Sequence, residues 1–162
     1  MCAQVYVSIG SNIEREKNIR DSLQALAEAF GQLRLSSVYE SAAVGFDSAP
    51  FYNLVAGFRT TLSPREVQDK LHAIEIAAGR VRTARLAART LDLDLLLYDD
   101  RVVKEGNLVL PREDINRYAF VLRPLAELAG SERHPLTGER YADMWAAFDR
   151  ESQPLTPVDW PP

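Results

Sequence analysis

Asp92 and Asp94 sit one residue apart in the segment Arg89-Thr90-Leu91-Asp92-Leu93-Asp94. Alternation along a strand turns both carboxylates to one face and Leu91, Leu93 and Leu95 to the other. At a Cβ spacing of about 7 Å, ionised neighbours repel unless a cation lies between them. Magnesium suits such a pair, because it takes oxygen ligands, needs few carboxylates and leaves its other positions to water and phosphate. Upstream, no carboxylate falls between Glu75 and Asp92, whereas Arg80, Arg82, Arg85 and Arg89 do. A cationic stretch of this kind calls for an anion, and arginine grips phosphate oxygens bidentately, so a nucleotide polyphosphate is the natural guest. The competing reading puts both aspartates on a solvated sheet face and leaves the arginines to cover apolar surface with their stems. These residues alone are compatible with either.

The elements that must carry this segment can be read from periodicity. Gln4 to Ile9 alternates as a strand, and from about Glu14 the positions Ile19, Leu23, Leu26, Ala27 and Phe30 follow helical spacing up to Gly31. Leu33–Tyr39 and Phe51–Thr61 read as strands, with a long loop from Ala42 to Pro50 between them. Ser63, Pro64 and Glu66 form an N-cap, a first helical position and a capping box. Val67, Leu71, Ile74 and Ala78 give that helix its buried stripe, and Gly79 closes it. Leu91–Tyr98 supplies the next strand. The order predicts an α+β fold, a ferredoxin-like βαββαβ sandwich whose antiparallel sheet carries helices on one face. C-terminal additions follow: a pairing of Arg101–Val103 with Leu108–Leu110, helices near Ala119–Ala129 and Tyr141–Phe148, and an extended proline-rich tail over 154–162.

A chain of 162 residues, 46% of them hydrophobic, is the size of one domain, so 1–162 is expected to form a single unit. No apolar run reaches the roughly 20 residues of a membrane-spanning helix, and no secretory leader pattern opens the chain, so a cytoplasmic protein without a membrane partner is expected. Cys2 is the only cysteine, which excludes an internal disulfide and a thiolate cluster for zinc. The net charge of −4 argues against a nucleic-acid partner. His72 and His134 are isolated and read as packing, as do Trp145, Phe148 and Trp160; Gly10-Ser11-Asn12 reads as a strand end passing into a helix.

With Glu75, Gly79-Arg80-Val81-Arg82 and Arg89-Thr90-Leu91-Asp92-Leu93-Asp94 in view, the chain resembles the 6-hydroxymethyl-7,8-dihydropterin pyrophosphokinase family of folate biosynthesis. The likeness extends over Ile9-Gly10-Ser11-Asn12, Ser36-Ser37-Val38-Tyr39, Phe51-Tyr52-Asn53, Phe120-Val121-Leu122 and Pro124-Leu125-Ala126-Glu127. It implies transfer of the β,γ-diphosphate of ATP, the co-substrate, to the pterin hydroxymethyl group, leaving AMP, with two Mg2+ ions and a ferredoxin-like fold. It also implies metal ligation by Asp92 and Asp94, and action around the phosphates by Arg80, Arg82 and Arg89, which together make the catalytic set. Glu75, Leu95 and Arg112 fall on its ATP side. Phe51 and Phe120 match an aromatic pair that sandwiches the pterin, Asn53 a residue that hydrogen-bonds the ring, and Ser41, Ala42 and Val44 a loop offering backbone contacts. Asp92 is the nearer candidate for accepting the hydroxyl proton.

The chain departs from the family pattern at three places. Arg112 follows Pro111 where the family has histidine, Tyr118 stands where it has arginine with Arg117 adjacent, and Thr83–Ala88 lacks its tryptophan and glycine-proline. The alternative is therefore a divergent pterin-binding paralogue of low activity or different pterin preference. An RNA-binding module ranks last, since no aromatic-rich RNA-binding motif lies on the predicted strands. The expected oligomeric state is a monomer, and the expected partners are small molecules.

Overall fold

The computed structural model describes residues 2–42, 49–79 and 91–159. In chain order the elements are β1 (Ala3–Ser11), α1 (Arg15–Phe30), β2 (Arg34–Leu35), β3 (Val38–Ser41), β4 (Phe51–Thr60), α2 (Pro64–Ala77), β5 (Asp92–Tyr98), β6 (Val103–Glu105), β7 (Leu108–Leu110), α3 (Asp114–Arg117), α4 (Ala119–Ala129), α5 (Tyr141–Ala147) and β8 (Thr156–Val158). The sheet runs β5-β1-β4-β3-β8, with β2 also on β4, and each of its pairings is antiparallel. Up to β5 this is the ferredoxin-like α+β order expected from the sequence.

Local chemistry accounts for the element ends. Ser63 caps α2: the Glu66 N–H donates to Ser63 Oγ (3.2 Å) and the Ser63 N–H to Glu66 Oε1 (2.9 Å), completing the capping box. Gly31 (φ 89°) ends α1, in the left-handed region that only glycine enters cheaply. Along α1, Ile19, Leu23 and Leu26 are buried as predicted, whereas Ala27 is exposed and Ser22 is buried.

Four differences from the sequence reading bear on the site. The strand expected over Leu33–Tyr39 is broken into β2 and β3. Ser36 Oγ accepts the Val55 N–H (2.9 Å), and the Ser37 N–H turns away to Glu127 (2.9 Å), so side chains take ladder positions there. The hairpin arm expected at Arg101–Val103 lies at Val103–Glu105, because a two-residue turn with Gly106 at φ 60° sets Glu105 opposite Leu108. The tail does not simply extend: Val38 pairs with Val158 and Glu40 with Thr156, so β8 closes one edge of the sheet. Finally, the sheet is covered on both faces. Val5, Val7, Ile9, Leu93 and Leu95 pack in the cluster that includes Ile19, Leu26, Val67 and Leu71 of α1 and α2. Tyr6, Val55, Leu96 and Leu97 pack with Val121, Leu122, Leu125 and Met144 of α4 and α5. β5 holds an extra residue opposite the Tyr6–Val7 step, a bulge that adds Leu97 to Leu96 on the second face and returns Tyr98 to the first. Among the described residues no helix is long and apolar enough to cross a membrane.

Candidate active site

The strand parity predicted for the aspartates is what the sheet shows. Asp92 pairs with Gly10 and Asp94 with Ser8 on β1, both half-buried, while Leu91, Leu93 and Leu95 enter the core on the opposite face. Glu75, on the last turn of α2 and only 3% exposed, accepts the Leu93 N–H through Oε2 at 2.8 Å. That bond holds the peptide between the two aspartates, so a buried carboxylate fixes their presentation. From the other side, the Arg112 N–H donates to Leu96 O (3.1 Å), setting its guanidinium against Asp94 Oδ1 (3.4 Å) and Asp114 Oδ2 (3.3 Å).

This crowding shows in the titration of Asp94. Burial first, then the charge of Asp92, pushes its carboxyl up to about 7. Arg112 opposes the rise, and Asp114 and Glu75 add to it. The Arg112 guanidinium loses some basicity to burial but is held above its ordinary value by Asp94 and Asp114.

Two cavities meet at the aspartates. One, of about 310 Å³, is lined by Ser41, Ala42, Phe51, Asn53, Tyr118 and Phe120, with Ser8, Ile9 and Gly10 on β1. Asn53 Nδ2 donates to Ser41 Oγ (2.7 Å), which sets Asn53 Oδ1 over Gly10. A Cβ on Gly10 would lie 3.3 Å from that oxygen and 3.6 Å from Phe51 Cδ2, so the absence of a side chain there leaves room for both. Tyr118 and Phe120 stack with centroids 4.9 Å apart and planes 19° from parallel. The other cavity, of about 450 Å³, is lined by Gln68, His72 and Glu75 on one face of α2, by Leu95, and by Asn107, Arg112 and Asp114. Asp92 and Asp94 line both.

The structure thus brings together Ser41, Ala42, Phe51, Asn53 and Phe120 in one cavity and Glu75, Leu95 and Arg112 in the other, as grouped from the sequence. Val44, Arg80, Arg82 and Arg89 lie outside the described residues. Sequence reasoning missed Tyr118 and Gly10 as wall residues, and His72, which the resemblance puts near ATP but which reads first as surface packing, lines the second cavity. Helical spacing from Glu75 could have found His72 and Gln68. Gly10 needed the strand register. Among the described residues no cluster of three or more metal-ligating side chains occurs. Two carboxylates with open cavities on either side suit a hard cation that completes its shell with water and phosphate. Among the described side chains, the excess of carboxylates over guanidinium around Asp94 points the same way.

Comparisons with known proteins show the family. The family model for 7,8-dihydro-6-hydroxymethylpterin-pyrophosphokinase (HPPK) matches residues 6–130. The 2-amino-4-hydroxy-6-hydroxymethyldihydropteridine pyrophosphokinase of Pseudomonas aeruginosa is 38% identical over 154 residues, covering 91% of this chain and 93% of that protein. That of Haemophilus influenzae is 38% identical over 131 residues, covering 76% and 80%. The folic acid synthesis protein fol1 of Pneumocystis carinii is 32% identical over 157 residues; the match takes in 94% of this chain but only 21% of that protein. In structure, the wild-type HPPK-DHPS of Plasmodium falciparum superposes with a TM-score of 0.72 at 12% identity, over 90% of this chain and 44% of that one, which shows the fold. The match across 6–130 and the bacterial identities over three quarters or more of each chain have one reading: this chain belongs to the 7,8-dihydro-6-hydroxymethylpterin-pyrophosphokinase family.

Proposed function

We propose that this chain transfers the diphosphate of ATP to the hydroxymethyl group of 6-hydroxymethyl-7,8-dihydropterin, releasing AMP, as one domain acting as a monomer in the cytoplasm. The observation that carries the reading is the position of Asp92 and Asp94 on the shared wall of an aromatic cavity and a polar one. Such a wall is where an acceptor and a polyphosphate donor must meet, and transfer of this kind depends mainly on positioning and charge neutralisation.

In the aromatic cavity, Phe51, Phe120 and Tyr118 offer flat faces to a heteroaromatic ring, and Asn53 Oδ1 offers an acceptor to its N–H groups. Backbone groups at Ser41, Ala42 and Val44 complete the ring's polar contacts in this reading. In the polar cavity, the described side chains carry four carboxylates, Glu75, Asp92, Asp94 and Asp114, against one guanidinium, Arg112. A polyphosphate cannot sit there unless cations offset that charge, so Arg80, Arg82 and Arg89 are assigned to the phosphates and Asp92 and Asp94 to two Mg2+ ions. Bound there, the ions supply charge neutralisation for the phosphates and acidify the hydroxyl. Asp92, opposite Gly10 and so closer to the Asn53 and Phe51 wall, is assigned the hydroxyl proton; Asp94 lies with Arg112 on the donor side. Glu75 acts through the Leu93 amide, holding both aspartates in place.

The test is incubation with ATP, Mg2+ and the dihydropterin, following AMP. Formation of AMP that needs all three and vanishes in an Asp92→Ala, Asp94→Ala double variant supports the reading. Binding of the pterin with no AMP above that control would instead favour a non-catalytic paralogue.

A further inference from the structure

The segment after α5 lies outside the 6–130 match, yet it bonds to the α3–α4 junction and to β3, which carry residues of the aromatic cavity's walls. Tyr118 is an extended residue (φ −121°, ψ 125°) between the end of α3 and the start of α4, and its own N–H and C=O are engaged by Asp114 O and by the Val121 and Leu122 amides. The groups flanking it are helix-end orphans: the Arg117 carbonyl at the end of α3 and the Ala119 N–H at the start of α4, which has no side-chain cap of its own. Gln153 satisfies both with one amide. Its Oε1 accepts the Ala119 N–H at 2.9 Å, and its Nε2 donates to the Arg117 carbonyl at 2.8 Å. Three residues on, β8 begins and pairs with β3, so that Glu40 lies opposite Thr156 immediately before Ser41 and Ala42 of the facing wall.

We infer that Gln153 and β8 form a strap that sets the two walls of the aromatic cavity relative to one another, with Gln153 a positioning residue for the stacked Tyr118 and Phe120. The inference rests on the acceptor reading of that cavity. The physical reason is preorganisation: an aromatic slot binds a flat ring well only when its faces are held at their working separation before the ring arrives. α4 already lies on the sheet through Val55 and through Glu127 bonded to Ser37 and Tyr39, and the strap adds a second tie at the α3–α4 junction and the β3 edge. Its removal acts first on the slot; the polar cavity is lined by α2, β5 and the Asn107–Asp114 region, of which only Asp114 shares α3 with the strapped Arg117.

The experiment compares Q153L, which removes both hydrogen bonds, with Q153E, which keeps the acceptor for Ala119, and with V158D, which disturbs β8 and leaves Gln153 intact. Binding of 6-hydroxymethyl-7,8-dihydropterin and of ATP is measured separately, with amide hydrogen exchange at Ala119 as an independent readout of the clamp. Q153L should weaken pterin binding on the order of tenfold, leave ATP binding within about twofold and speed exchange at Ala119. Q153E should fall between Q153L and the unaltered protein, and V158D should weaken pterin binding with exchange at Ala119 unchanged. Pterin affinity equal to that of the unaltered protein in Q153L and V158D overturns the strap, as do equal losses for pterin and ATP. Should the unaltered protein not bind the dihydropterin, the functional reading falls and the strap with it; if it binds and Q153L binds equally, only the strap falls.

Discussion

The two cavities on either side of Asp92 and Asp94 are built by opposite means. The aromatic one is assembled from neutral groups on three strands and the α3–α4 junction, tied by hydrogen bonds such as Asn53 to Ser41 and Gln153 to Ala119. Among the described side chains the polar one presents more carboxylates than guanidinium groups, with Asp94 pushed up to about 7 by its surroundings. Among the described residues, the first side is built from shape and the second from charge, its carboxylates outnumbering its guanidinium. A neutral ring must find its slot ready, because it brings no strong field to organise one. A polyphosphate with metal brings enough charge to complete its own site.

The largest expected effect tests the shared wall. Asp92→Asn or Asp94→Asn should lower AMP formation by about a hundredfold to a thousandfold, the scale of losing a charge-stabilising group, while pterin binding stays near its original value. Equal loss of pterin binding would mean that the aspartates belong to the aromatic side alone.

Next, Phe51→Ala or Phe120→Ala should weaken dihydropterin binding by about tenfold to a hundredfold, as expected for stacking worth ~1–3 kcal/mol, with ATP affinity unchanged by calorimetry. A matching loss for ATP would erase the distinction between the cavities.

Glu75→Ala leaves the buried Leu93 N–H without its 2.8 Å partner and should cost about 1–3 kcal/mol in denaturant unfolding. Glu75→Gln retains an acceptor and should recover most of that loss. If neither variant alters stability or AMP formation, Glu75 does not hold the aspartates.

The smallest effect is the pH dependence of the metal-free protein. Asp94 keeps its proton up to about pH 7 when folded, against an ordinary value of 3.8 in the unfolded chain. Between those values the folded state binds more protons than the unfolded, so stability is greatest below the window and falls as pH rises through it. Thermal unfolding across that range should show the slope, and Asp94→Asn should flatten it. Mg2+ binding near neutral pH should release protons, which calorimetry in buffers of different ionisation enthalpy would detect.

Local patterns carried much of this protein. The Ser63–Glu66 capping box, the Gly31 stop, the parity of Asp92 and Asp94 and the Ala119–Ala129 helix all depend on a few neighbouring residues, and each is where the sequence puts it. The composition of each wall was legible too, through resemblance: Phe51, Asn53 and Phe120 on one side, Glu75 and Arg112 on the other. Long-range register was not. That Gly10 lies opposite Asp92 and beneath Asn53, that the tail returns to pair with β3, and that Gln153 caps a helix from outside it are contacts between segments far apart in the chain. Periodicity constrains which face a side chain takes, not which distant strand it meets, so the sequence determined the candidate groups and their local geometry. Tertiary structure alone decided that they form the wall between two sites, because burial on both faces of the sheet, set by the bulge at Leu96 and the packing of α4, brings those segments together.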